Sequence, residues 1–177
     1  MESVYIDKVL SGDVEAFTYF VKTYKNMAFT VSLSIVKDEQ YAEEVTQDAF
    51  MKAFNGLKSF NRTAKFKSWF YRIVVNESFL RLRTLKKSKP IVPIEEQNDA
   101  ILEEQFEEIT ENHSARISKV LSLMPPKEAL ALELFYLQEM SINDITIVTE
   151  WTKTNTKVIL HRARKNIRLL WKKNTSI

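Results

Sequence analysis

The sequence lacks cysteine altogether and contains only two glycines and four prolines among its 177 residues. Without cysteine, the chain has neither a disulfide framework nor a thiol nucleophile, which suits a cytosolic protein. So few turn residues disfavour most sheet folds and exclude a glycine-rich phosphate loop. No stretch approaches the ~20 apolar residues that span a membrane, and the first residues do not resemble a signal peptide. We therefore expect a cytoplasmic protein with no membrane insertion.

Helical periodicity and an uneven distribution of charge are what the sequence does contain. Hydrophobic residues make up 45% of the chain, and they recur at helical spacing, which predicts an all-α protein. Residues 1–87 carry 14 basic and 10 acidic side chains, residues 88–113 carry 1 and 8, and residues 114–177 carry 11 and 5. Two basic helical domains joined by an acidic linker at 88–113 are the predicted organisation, and a polyanion is the predicted ligand. A short helix is expected at 100–113, where the linker leads into the second domain.

The third long helix of the first domain combines cations with an aromatic ring and an amide. Arg72, Asn76, Phe79 and Arg83 are spaced four, three and four residues apart, so they share a helix face. Arginines hold phosphates, rings stack on bases and amides bond base edges, which suits single-stranded or melted nucleic acid. An ordinary surface helix with an incidental phenylalanine is the alternative for this stripe.

The preceding helix has an acidic outer face, formed by Glu44, Gln47, Asp48 and Met51. Acidic side chains are unsuited to DNA, whereas a methionine among polar groups suits protein docking. A plain solvated face explains the same residues equally well.

The second domain contains a helix predicted over residues 127–140 and ends in a predicted helix-turn-helix. Ser141 and Asp144 have capping-box spacing and predict a short helix from Ile142 to about Thr149. A turn at 150–155 and a long basic helix follow, and the second helix of such a motif enters the major groove. Its cations at 157, 161, 164 and 168 share one face, opposite the apolar one. The sequence predicts Asn155 and Lys157 as base readers, with Arg164, Lys165 and Arg168 on the phosphates. A merely solvated basic face is the alternative.

Enzyme chemistry finds little support in the sequence. His113 and His161 lie in different segments, and neither has metal-ligand spacing. We predict a protein that is not an enzyme and that has no catalytic residue, no metal site and no cofactor.

Five stretches, taken in order, resemble the extracytoplasmic-function (ECF) group of bacterial sigma factors. They read GDVEAF, YAEEVTQDAFMKAF, FKSWFYRIVVNESFLRLR, MPPKEALALELFYLQEMSINDI and HRARKNI. The resemblance implies a sigma region 2-like bundle at 1–87, and a linker at 88–113 that threads the polymerase cleft. A region 4-like helix-turn-helix domain at 114–177 would complete the chain. It further implies that the protein directs RNA polymerase core to promoter DNA and is controlled by an anti-sigma factor.

The resemblance also assigns roles to individual residues. The acidic face at 44, 47, 48 and 51 would bind the clamp helices of the polymerase β′ subunit. Minus-ten contacts would come from Phe60, Arg72, Asn76, Phe79 and Arg83, with Phe60, the loop around it and Asn76 capturing a flipped base. Minus-thirty-five contacts would come from Asn155, Lys157, Val158, His161, Arg162, Arg164 and Arg168.

Departures from the family pattern concern DNA reading more than fold. Asp144-Ile145-Thr146 replaces the usual Glu-Ile-Ala, and a glycine common in the turn is absent. A stand-alone helix-turn-helix regulator is the second hypothesis, although we find no clear dimer interface for paired half-sites. A helical adaptor that binds only proteins is the third, and the basic last helix argues against it.

Overall fold

The computed structural model describes residues 1–88 and 113–173, and these residues form helices without a strand. The predicted all-α class is confirmed. The helices, in chain order, are α1 Glu2–Leu10, α2 Thr18–Val36, α3 Glu39–Gly56, α4 Phe66–Ser88, α5 His113–Ser122, α6 Pro126–Leu132, α7 Ile142–Thr149 and α8 Lys153–Lys173. Apart from its two end residues, the predicted acidic linker lies outside the described residues, as does the short helix expected before α5.

Local signals determine where the helices of the first domain begin and end. Asp13 caps the 3₁₀ turn Val14–Phe17 that leads into α2, and the Asp38 carboxylate accepts from the Tyr41 backbone N–H at the start of α3. α3 ends at Gly56, as the sequence predicts. α1 was not predicted, since it buries a single residue, Ile6, and so has little apolar periodicity.

Aromatic rings fill the core of the first domain. Phe70 of α4 lies with its ring centroid 4.6 Å from that of Phe50 in α3, and Phe66 lies 4.2 Å from Phe20 in α2. All three helices thus contribute rings to one cluster. Truncating such a ring to alanine costs about 3–5 kcal/mol in a protein core.

The buried face of α4 agrees only in part with the predicted one. The sequence favours a stripe through Phe66, Trp69, Phe70, Ile73 and Leu80, and Phe66 and Phe70 are buried as predicted. Leu80, however, is 50% exposed, and Trp69 and Ile73 are half-buried. Four residues outside the predicted stripe are buried as well: Tyr71, Val74, Val75 and Ser78. The buried face differs from the predicted stripe because α4 packs against α2 and α3 on one side and against α7 on another.

The second domain contains the predicted helix-turn-helix. Ser141 and Asp144 form the capping box, and α7 has the predicted bounds. A turn of three residues connects it to α8, which begins earlier than predicted. Glu150 adopts the left-handed conformation (φ 59°) in that turn, the region glycine favours.

The helix before the motif is not the uninterrupted α-helix that the sequence predicted for residues 127–140. α6 passes at Glu133 into a π-helical turn, Glu133–Leu137, and the helix ends there. Such turns insert an extra residue into a helical repeat and often mark functional sites. Here the Gln138 backbone N–H bonds Glu133 O, and Glu139 follows in the left-handed region.

The two domains share a core. Leu130 and Leu134 of the α6 segment, with Ile145 and Val148 of α7, belong to the same buried cluster as the aromatic residues of the first domain. Each of these four side chains is at most 1% exposed. The described residues are therefore packed as one continuous body.

Candidate nucleic-acid interface

The last helix has one buried and one cationic face. Thr156, Ile159, Leu160 and Ala163 are buried against the second domain, which confirms the predicted apolar side. Exposed on the other faces are Asn155, Lys157, Val158, His161, Arg162, Lys165 and Arg168. Thr152 caps the helix start, because its hydroxyl accepts from the Asn155 backbone N–H at 3.2 Å. The start of α8 is thus capped, and the predicted base readers Asn155 and Lys157 are exposed to solvent.

Arg164 is half-buried, unlike the other residues of α8 that are predicted to contact DNA. Its Nε donates to the Tyr136 hydroxyl at 2.8 Å, and its guanidinium lies over the rings of Phe135 and Tyr136. The tyrosine is 54% exposed, so the pair lies at the surface beside the cationic face. Sequence reasoning missed this pair, since 28 residues separate the partners and no local pattern relates them.

The polar stripe of α4 is only partly open to solvent. Asn76 and Arg83 are exposed, whereas Phe79 packs against the main core cluster. Arg72 is 43% exposed and bonds the second domain: Nε and Nη2 lie 3.1 and 2.7 Å from Ile147 O. Its Nη1 also lies 3.5 Å from Glu150 Oε1. The predicted face is therefore divided between solvent and α7.

The loop before α4 begins at a buried ring and continues in exposed residues. Phe60 is 9% exposed, and its centroid lies 4.9 Å from that of Trp69. Residues 61–65 are all exposed, and the Asn61 side-chain oxygen accepts from the Thr63 N–H and hydroxyl. Arg62, in the left-handed region, pairs with Asp7 of α1 at 2.5 Å. The Phe60 ring anchors this loop, and the atoms that face solvent belong to residues 61–65.

Three of the four residues in the predicted acidic face of α3 are open to solvent. Gln47, Asp48 and Met51 are exposed, and Met51 is 63% so. Glu44 is half-buried because it pairs with Arg81 of α4, whose guanidinium also lies over the Tyr41 ring. Arg81 was not among the predicted residues, and it orients the most N-terminal carboxylate of this face.

A buried polar chain joins the two domains close to Arg72. The Tyr71 hydroxyl donates to Gln138 Oε1 at 2.5 Å, and Gln138 Nε2 donates to Glu133 Oε1 at 3.0 Å. Burial raises the pKa of the Glu133 carboxyl, and the bond from Gln138 offsets part of that rise. Burial likewise raises the pKa of Tyr71. None of these groups was singled out from the sequence, since each alone looks like an ordinary helix residue.

The described part of the chain contains neither a cluster of metal ligands nor a membrane-spanning helix. Residues 1–88 and 113–173 bring no three acidic or histidine side chains together as metal ligands. None of their helices combines the length and apolar character that crossing a membrane requires.

Two family models match this chain, one in each domain. Residues 20–88 match the family model Sigma-70 region 2, and residues 114–167 match Sigma-70, region 4. The chain is 27% identical to the ECF RNA polymerase sigma factor SigW of Bacillus subtilis (strain 168), with 92% of each chain covered. It is 26% identical to SigM of the same organism, covering 86% of this chain and 93% of SigM.

Solved structures support the fold. CnrH in complex with the cytosolic domain of CnrY superposes with a TM-score of 0.68 at 19% identity, covering 97% of both chains. The sigma factor RpoE, solved with the anti-sigma factor NepR from Bartonella quintana, also gives 0.68, at 21% identity over 88% of this chain and 96% of RpoE. Because both domains match sigma-70 family models, and because SigW and SigM are similar over most of its length, the chain belongs to the extracytoplasmic-function group of the sigma-70 family.

Proposed function

We propose that this sigma factor brings RNA polymerase core to promoters by reading the minus-thirty-five element with α8 and capturing a minus-ten base with α4 and the loop before it. The exposed cationic face of α8, on the second helix of a helix-turn-helix, is the observation that carries the proposal. A helix placed this way fits the major groove, which distinguishes all four base pairs.

Minus-thirty-five reading is assigned by position along α8. Asn155 and Lys157 lie near the helix start and are proposed to contact base edges, with Val158 packing beside them. Contacts to the phosphates on either side are proposed for the remaining cationic residues: His161, Arg162, Arg164, Lys165 and Arg168. Phosphate contacts position a protein on DNA, whereas base contacts discriminate by about 1–3 kcal/mol for each good pair.

Minus-ten capture is assigned to Asn76 and the exposed loop 61–65. Asn76 is exposed and offers an amide to a base edge, and the exposed loop directly follows the buried Phe60 in the chain. Phe79 is proposed to support this face from its partly buried position, while Arg72 and Arg83 bind the strand backbone. Holding a base outside the stack costs a few kcal/mol, which is least in DNA that is already melted.

Docking on polymerase is assigned to the acidic face of α3. Glu44, Gln47, Asp48 and Met51 are proposed to contact the clamp helices of the β′ subunit. An apolar thioether surrounded by polar groups is typical of a protein interface. An anti-sigma factor is a further proposed partner, since a solved relative is bound to one. No step requires a reaction catalysed by this chain.

Run-off transcription tests the proposal. Purified core polymerase and fragmented genomic DNA are assayed with and without the protein, and new transcripts with fixed starts are expected. Lys157→Ala should lower promoter affinity about tenfold, and Asn76→Ala should reduce transcripts while leaving polymerase binding intact. Matched controls are Lys25→Ala and Asn26→Ala, which alter exposed residues of α2 outside the proposed contacts.

One outcome of the transcription assay would refute the proposed function. If polymerase neither binds the protein nor gains transcripts, the assignment fails. Specific retention of duplex DNA by the protein alone would then favour a stand-alone helix-turn-helix regulator.

A further inference from the structure

The face of α4 that is open to solvent lies beside the predicted polar stripe and not along it. Arg72 bonds the backbone of α7, and Phe79 packs against the main core cluster, so two of the four predicted residues are engaged elsewhere. The other two, Asn76 and Arg83, are exposed together with Leu80, which is 50% exposed. A residue that the sequence assigned to the core therefore lies among the proposed DNA contacts.

The position of Leu80 relative to its neighbours distinguishes it from an incidental exposed leucine. Trp69 and Ile73 of the same face are half-buried and pack against the core cluster, whereas half of Leu80 remains open to solvent. Leu80 follows Asn76 by four residues and precedes Arg83 by three. Residues at these spacings are neighbours on a helix, with about 5–6 Å between their Cβ atoms. An apolar side chain thus lies between an amide and a cation.

The charges around Leu80 suit an anionic strand. Glu77 is the single acid of α4, and its carboxylate lies 2.7 Å from Lys52 Nζ of α3. Beyond Leu80, the exposed charged residues of the helix are all cationic: Arg83, Lys86 and Lys87. A nucleic-acid strand that follows α4 therefore meets cations and no unpaired carboxylate of that helix.

The Asn76 amide by itself does not distinguish the two pyrimidines. Its Nδ2 is suited to donate to O4 of thymine, and its Oδ1 is suited to accept from the N4 amino group of cytosine. The remaining difference is the C5 methyl group, which lies beside O4 in thymine and is absent from cytosine. A half-exposed leucine one turn from the amide offers that methyl group an apolar surface.

We propose that Leu80 is a specificity-determining residue of minus-ten recognition, which covers the C5 methyl group of a thymine whose O4 bonds the Asn76 amide. This inference rests on the proposed function and names the base that the site selects. Burial of one methyl group corresponds to about a threefold to fourfold preference for thymine over uracil. Adding the same methyl group to cytosine should strengthen its binding by a similar factor.

Two pairs of oligonucleotides that differ only in this methyl group test the assignment. Single-stranded oligothymidylate is compared with oligodeoxyuridylate of equal length, and oligodeoxycytidylate with its 5-methylcytosine form. The free full chain is suitable, because Asn76 and Leu80 are exposed in it. By fluorescence anisotropy at low salt, the wild-type protein should bind the methylated member of each pair about threefold more tightly.

Substitutions at Leu80 connect the preference to this side chain. Leu80→Ala should bind both members of each pair equally, whereas Leu80→Met keeps an apolar side chain and should retain the preference. Val4→Ala is the matched control, since Val4 is an aliphatic residue of α1 that is 54% exposed and outside the proposed contacts. Because Leu80 is half exposed, its variants should melt at the wild-type temperature, so a lost preference would not reflect unfolding.

Two results would overturn the role of Leu80. One is a wild-type protein that binds both members of each pair equally, and the other is a Leu80→Ala variant that still prefers the methylated member. The oligonucleotide measurements need no polymerase. A chain that fails to bind core polymerase would therefore refute the proposed function, whereas the methyl preference would be decided separately.

Discussion

Replacing Gln138 by leucine should destabilise the protein through the two groups it leaves behind. Its side chain bonds the Tyr71 hydroxyl and the Glu133 carboxylate, which are 0% and 1% exposed. A buried polar group left without a partner costs about 1–3 kcal/mol, and more if it is charged. The expected loss is therefore about 3 kcal/mol, which is large against the ~5–15 kcal/mol that stabilises a typical domain.

The loss should depend on pH because of Glu133. A carboxyl whose folded-state pKa is raised contributes stability below its unfolded pKa and loses it as the pH rises through the folded value. The bond from Gln138 lowers the pKa of Glu133, so removing it raises that pKa further. The variant should accordingly lose more stability at pH 7 than at pH 5.

Urea unfolding at both pH values measures these quantities. Adding Tyr71→Phe to the variant removes the unpaired hydroxyl and should recover about 1 kcal/mol. A loss below about 0.5 kcal/mol, or one equal at the two pH values, would show that water already satisfies the buried chain and would refute the reasoning.

Two further changes probe other parts of the structure. Burial lowers the pKa of Lys37 to about 8, so the unfolded chain binds more protons between pH 8 and 10. Stability should then rise by about 1–2 kcal/mol from pH 7.5 to 9.5, and Lys37→Arg should abolish the rise in urea titrations; an unchanged rise would assign it to another group. Tyr136→Phe removes the bond to Arg164 and should lower promoter affinity about twofold to fivefold without changing the melting temperature. In the Arg164→Ala background, the same change should have no effect, and equal losses in both backgrounds would show that the two residues act independently.

Local chemistry explains which parts of the fold could be predicted. The capping box of Ser141 and Asp144 involves residues three apart, and it determined the start of α7 correctly. The apolar face of α8 was also predicted, because the helical repeat places those residues together wherever the helix packs. Both signals are carried by neighbours in sequence, so no tertiary information was needed.

Tertiary contacts explain why other parts of the fold could not be predicted from the sequence. The buried face of α4 includes Tyr71 and Val75 because α7 covers them, and no pattern within α4 indicates a second covering surface. The π-helical turn places Glu133 beside Gln138, whereas the sequence alone reads as continuous helix. Arg72 was predicted to hold DNA, but its contacts with α7 depend on the packing of two separate domains.

The shared core gives domain separation a calorimetric signature. Leu130, Leu134, Ile145 and Val148 are almost fully buried where the two domains share a core, and separating the domains would expose apolar surface around them. Exposure of apolar surface raises heat capacity, whereas its burial on binding lowers it. If polymerase binding separates the two domains, this exposure offsets part of the heat-capacity decrease on binding. The measured decrease should then be smaller than the apolar area buried between the protein and polymerase implies. The difference between the implied and the measured heat-capacity change would give the apolar area of the domain junction that is exposed to water in the holoenzyme.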